Sequence, residues 1–264
     1  ALQQASEAKS GDDPQRAEIL ERLGDSLRML GKQQEATQVY EQGLAIWDRN
    51  LSRQKGMRIG LAHLRRGVLL GRLARRTDAV TAFERAMENA PELRETYSTI
   101  LAYLAVSDPD SAFAHRVFRN AVNQLSLEPE WKVYFALWLR MIAGRDGAGV
   151  DPEVSAVLSD LAQGTDWFAK LARFASGQLD YDGLLQSAMG LGERTEAYFY
   201  EGARRLGAGD LPGARAMFEQ VVHTKMVNFY EFAMAQELLA VTSAAKAPEA
   251  ATNAVPPAAT PPKQ

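Results

Sequence analysis

Nine basic side chains, Arg49, Arg53, Lys55, Arg58, Arg65, Arg66, Arg72, Arg75 and Arg76, fall between residues 49 and 76 with no acidic residue among them, in a chain of 264 residues and formal net charge −3. Arg58, Arg65 and Arg72 stand seven apart, so on a helix they share one face with Arg76 close by. A patch made of Arg58, Arg65, Arg66, Arg72, Arg75 and Arg76 suits an anionic ligand: an acidic protein, lipid headgroups or nucleic acid. The competing and preferred reading is pairing inside the chain, to acidic residues such as Glu18, Glu21, Asp25 and Glu35. The net charge gives no global attraction to nucleic acid or to an anionic membrane, so either would have to bind locally. Nucleic acid is the less expected partner, and peripheral membrane association stays open.

Catalytic groups are sparser. The three histidines, His63, His115 and His223, are far apart, with no second histidine at metal-ligand spacing. His63 reads as a satisfied core or edge histidine. Carboxylate pairs such as Glu92/Glu95, Glu128/Glu130 and Glu193/Glu196 read as solvated helical faces, because acid–base catalysis needs two carboxylates converging in one pocket with separated pKa values. No nucleophile elbow, phosphate-binding loop or dinucleotide fingerprint is present. The chain has no cysteine, which excludes disulfides, thiolate nucleophiles and cysteine-held metals. The expectation is a protein that is not an enzyme and takes no cofactor and no metal. No apolar run approaches the roughly 18 residues of a membrane-spanning helix. Asn50-Leu51-Ser52 matches the short glycosylation pattern. A start at Ala1 follows from a removed signal peptide, a removed methionine or cloning, and these stay open.

The elements that must carry these residues are announced by small side chains in register. Gly24, Gly31, Ala36, Tyr40 and Gly43 recur as Gly67, Ala74, Ala79, Phe83 and Ala86, and again as Gly202, Gly209, Ala214, Phe218 and Val221. Glycine inside a helix costs about 1 kcal/mol relative to alanine. Close approach of a neighbouring helix offsets that, since a larger residue would overpack the contact by roughly 1–3 kcal/mol. The matched positions therefore predict pairs of antiparallel helices meeting at small residues. Asp13-Pro14, Asp108-Pro109 and Asp151-Pro152 each place a capping carboxylate before a proline, predicting helix starts near 14, 109 and 152.

This register resembles that of the tetratricopeptide repeat family, built from helix-turn-helix units of about 34 residues. Residues 17–50, 60–93 and 195–228 carry it clearly; 94–129 and 130–193 carry it in degenerate form. The resemblance implies an all-α, right-handed superhelical solenoid of about five to six helix pairs over 14–241, with a C-terminal capping helix at Phe229 to Val241. A polar segment, 1–13, precedes it. A Pro/Ala-rich stretch, 242–264, is expected to be a disordered tail, and Gly144 to Gly149 is expected to be a loop.

In that family the first helix of each unit lines a concave groove. Carried over, the register places Glu18, Glu21, Asp25 and Arg28, then Leu61, Leu64, Val68 and Gly71, then Glu196, Phe199, Ala203 and Leu206 on that face. Leu61, Leu64, Val68, Phe199, Ala203 and Leu206 would form an apolar groove for a peptide or amphipathic helix of a partner protein; burial of Leu61, Leu64 and Val68 against adjacent helices is nearly as well supported. The expected function is a non-catalytic scaffold or adaptor in a bacterial multiprotein assembly. The alternatives are an anionic-ligand module working through 49–76 and a regulatory domain of a larger enzyme. The closing Asn228-Phe229-Tyr230-Glu231-Phe232 segment is similar to repeat lipoproteins of bacterial envelopes, which implies the periplasm or envelope, with the cytoplasm as the alternative.

Overall fold

The computed structural model describes residues 2–7, 11–107, 109–124, 127–149 and 151–244. Among these every regular element is an α-helix. A short α1 (Leu2–Glu7) precedes a series of pairs: α2 (Pro14–Met29) with α3 (Gln33–Leu51), α4 (Met57–Arg72) with α5 (Arg76–Asn89), and α6 (Arg94–Val106) with α7 (Ser111–Gln124). There follow α8 (Pro129–Asp146) and α9 (Pro152–Leu161), α10 (Trp167–Ala175) and α11 (Tyr181–Gln186), α12 (Leu191–Gly207) and α13 (Leu211–His223), and finally α14 (Tyr230–Ala244). Each early pair leans on the next: α3 packs on α4, α4 and α5 on α6, and α6 and α7 on α8.

The spacing of apolar residues explains why these segments are helical. In α3 the buried set Ala36, Tyr40, Gly43, Leu44 and Trp47 recurs every three or four residues, giving one core-facing stripe. The three register glycines sit where the paired helices touch. A Cβ on Gly24 would lie 2.3 Å from the ring of Tyr40, on Gly67 2.5 Å from Phe83, and on Gly202 2.7 Å from Phe218. Each aromatic ring occupies the space beside the glycine of the preceding helix and is almost wholly buried there. The turn that reverses the chain uses a left-handed residue at the matched place in each pair: Gly31 (φ 75°), Ala74 (φ 58°) and Gly209 (φ 79°).

Asp13 accepts from the Gln15 amide and Asp151 from those of Glu153 and Val154, with Pro14 and Pro152 inside the first turns. Asp166, Asp180 and Asp210 cap α10, α11 and α13 in the same way. Asp108 lies outside the described residues.

Several boundaries differ from expectation. Pro129 opens α8 rather than closing a repeat, and Gly144 lies inside α8, whose left-handed stop is Gly147 (φ 70°). The degenerate stretch holds one helix of 18 residues followed by helices of 10, 9 and 6 residues, too uneven for a repeated unit to show in the sequence. The polar N-terminal segment contains α1. At the other end α14 continues through Ala244, taking in the first three residues of the expected tail; residues 245–264 lie outside the described residues.

Candidate functional site

The last helix does more than cover the last pair. Besides packing on α13, α14 meets α6 and α12, and its side chains reach Arg28 of α2, Arg72 of α4 and Trp131 and Trp138 of α8. All of these except α13 are first helices of their pairs, the face on which the groove was expected. Glu231, Met234, Ala235, Leu238 and Thr242 are buried. Their spacing of three and four residues turns one side of α14 into the array.

At the N-terminal end of this face Glu237 is held by two arginines. Arg28 forms an ion pair with it, and Arg72 bonds both its oxygens, Nη2 to Oε1 at 3.0 Å and Nη1 to Oε2 at 3.2 Å. Arg72 also donates to Ser107 Oγ at 3.0 Å and lies 3.0 Å from Asp25, which in turn accepts from Tyr40 Oη at 2.7 Å. The side chains of Arg72 and Glu237 are each 12% exposed, so this network is shielded from water. Burial works against the charge on Arg72, but Asp25 and Glu237 outweigh it and raise its pKa above the ordinary value. Glu21, beside the network, is pushed up to about 7 by burial, against the opposing pull of Arg65.

At the other end Tyr230 shares a 3.1 Å hydrogen bond with Ser98 and packs edge-on against Trp131. Two buried carboxylates lie nearby. Glu196 accepts from Tyr134 Oη at 2.7 Å and from the Trp167 indole, and Glu231 accepts from Tyr200 Oη at 2.9 Å. Burial, reinforced by the charge of Glu231, pushes Glu196 from the ordinary 4.5 up to about 8, and burial raises Glu231 as well. A carboxyl raised in the folded state keeps a proton that the unfolded chain has already released, so its contribution to stability is lost as pH rises. The window for Glu196 runs from about 4.5 to about 8. The variant Glu196→Gln should therefore gain stability relative to the unsubstituted chain as pH goes from 5 to 8, read as the difference between their melting temperatures; a difference independent of pH refutes this.

The expected apolar groove is corrected by burial. Leu64, Val68 and Phe199 are core residues, with Leu64 and Phe199 at 0% exposure, because α4 is covered by α3, α5 and α6 and α12 by α8, α13 and α14. Even Gly71 is covered: a Cβ there would lie 1.9 Å from Tyr103 Oη of α6. Leu61, Ala203 and Leu206 are partly buried against the same core. The polar positions of that register fared differently, since Arg28 and Asp25 belong to the network around Glu237.

The basic patch is largely paired. Arg65 meets Glu95, Arg66 meets Asp48, Arg75 meets Glu41, and Arg76 meets Asp110. Arg72 lies inside the network, and Arg49 and Arg53 share Asp12. Asp25 is the one partner that the sequence had named. Arg58 is exposed and, among the described residues, has no ion-pair partner.

The Nδ1 of His63 is buried and has no hydrogen-bond partner among the described residues. Desolvation, then the charges of Arg66 and Arg85, lowers its pKa. His115, Asp151 and Glu153, distant in sequence spacing, bring one imidazole and two carboxylates within 4.8 Å of one another. Asp151 is already the cap of α9 and Glu153 is paired with Arg119 at 2.9 Å, so these groups have structural tasks. Comparison with known proteins gives no match to a family model and none to a curated protein.

Proposed function

We propose that the chain is a non-catalytic adaptor of the tetratricopeptide repeat kind, a superhelical stack of helix pairs whose first helices receive a helix from a partner protein. The observation that carries the reading is the seating of α14 across those first helices. It defines the chemistry that the face accepts: a helix with an apolar side, an aromatic residue near Ser98 and Trp131, and a carboxylate two turns further on between Arg28 and Arg72. Helix-in-groove recognition works through anchors at this spacing. In this reading α14 is the resident occupant of the face, and a partner helix with the same anchors competes with it.

A fluorescein-labelled peptide of residues 229–244 tests the proposal on the full chain. Glu237→Lys places a third cation beside Arg28 and Arg72 and loosens the resident helix. The peptide should bind that variant at least tenfold more tightly than the unsubstituted chain, as read by fluorescence anisotropy. Absence of binding to a folded Glu237→Lys chain overturns the proposal.

A further inference from the structure

A cavity of about 700 Å³ opens between α7, α8, α9, α10 and α12, away from the ionic network around Glu237. Roughly 300–1,000 Å³ is the usual size of a small-molecule site. Small side chains create the space: Ala112, Ala143, Gly144, Ala175, Ala203 and Gly207 all face it. Leu137, Met141, Val154 and Phe174 complete walls that are mostly apolar.

Arg140 lines this space. It is partly buried, and among the described residues it has no carboxylate and no hydrogen-bond acceptor. Desolvation lowers its pKa, with no counter-charge to offset the effect. The other charges on the wall are accounted for: Arg204 is bound to Glu201 at 2.7 Å, and Asp151 caps α9 and lies against His115. One further polar atom in the lining residues, His115 Nδ1, is buried without a hydrogen-bond partner among the described residues. Buried polar groups are nearly always bonded, so an unmatched imidazole nitrogen beside an unpaired guanidinium on the wall of one cavity asks for a ligand group. A half-buried cation without a partner carries part of the desolvation cost, and an anion that joins it in the cavity offsets that cost.

We propose that this cavity binds a single-chain carboxylate of the fatty-acid class, its head on Arg140 and its chain along the apolar wall. An extended peptide fits less well, since its backbone amides would need acceptors and donors along walls that offer few. Charge complementarity selects the carboxylate over a neutral or cationic amphiphile of equal length.

The probe is sodium dodecanoate below its micellar concentration, with dodecylammonium and 1-dodecanol as controls, titrated into the full chain by calorimetry and followed by thermal shift. Dodecanoate should bind and raise the melting temperature, while dodecylammonium should do neither. Arg140→Met keeps the apolar stem and removes the charge; it should weaken dodecanoate at least tenfold, the size of one charge-assisted hydrogen bond. Circular dichroism should show that variant to be as folded as its parent. Ala203→Leu, which fills the cavity, should also abolish binding. No binding of dodecanoate to the folded chain, equal binding by Arg140→Met, or equal binding of dodecylammonium overturns the proposal.

Discussion

Glu237→Ala should destabilise the chain by about 3–5 kcal/mol, the usual penalty for removing one member of a buried ion pair and stranding the other. Two arginines are stranded here. The side chains of Arg28, Arg72 and Glu237 are 18%, 12% and 12% exposed, so water replaces the lost carboxylate poorly. Asp25, 3.0 Å from Arg72, holds part of that charge, which places the effect on Arg28 above all. Glu237→Gln keeps an acceptor for both arginines and should fall between the two. Urea denaturation followed by circular dichroism measures the difference. A loss below about 1 kcal/mol, the typical value of an exposed pair, would mean that α14 is not anchored through this residue.

Leu64→Asp should be more damaging still. Leu64 is fully buried at 0% exposure, and an unpaired carboxylate at such a place exceeds the roughly 4–5 kcal/mol beyond which single substitutions are exceptional. The chain should lose its cooperative thermal transition. Leu61→Asp, on the same helix at a partly buried place, should keep that transition with a reduced midpoint. The comparison separates a packing role from a recognition role, because a residue that serves only a partner would tolerate the charge. Retained helicity and an unchanged midpoint in Leu64→Asp would return this part of α4 to the surface.

The pairing of helices was legible because it is local. Gly24 with Tyr40, Gly67 with Phe83 and Gly202 with Phe218 stand sixteen residues apart in each case, and a clash that admits only glycine leaves its trace at both positions. Asp13 and Asp151 were legible for the same reason, since a cap and its amides are neighbours in the chain. The seat of α14 was not. Glu237 reads as one more helical glutamate, and nothing near it in sequence announces Arg28 or Arg72. The arginine run was readable as charge but not as a set of ion pairs, because its carboxylates are scattered along the chain from Asp12 to Glu237. Leu64 and Phe199 show a further limit. Family register assigns a residue to a face, whereas burial depends on what neighbouring helices add to that face. The cavity at Arg140 left no periodic signal either, since it arises from several small residues on four helices.

An open row of stacked units frays, because each terminal unit has a neighbour on one side only. Here Arg28 and Glu237, 209 positions apart, fasten the opening pair to the closing helix. Release of α2 or of α14 must break the same bridge, so the two helices melt together rather than one after the other. Amide hydrogen exchange should report near-equal protection for α2 and α14, in place of the gradient toward the ends that an unfastened row would give.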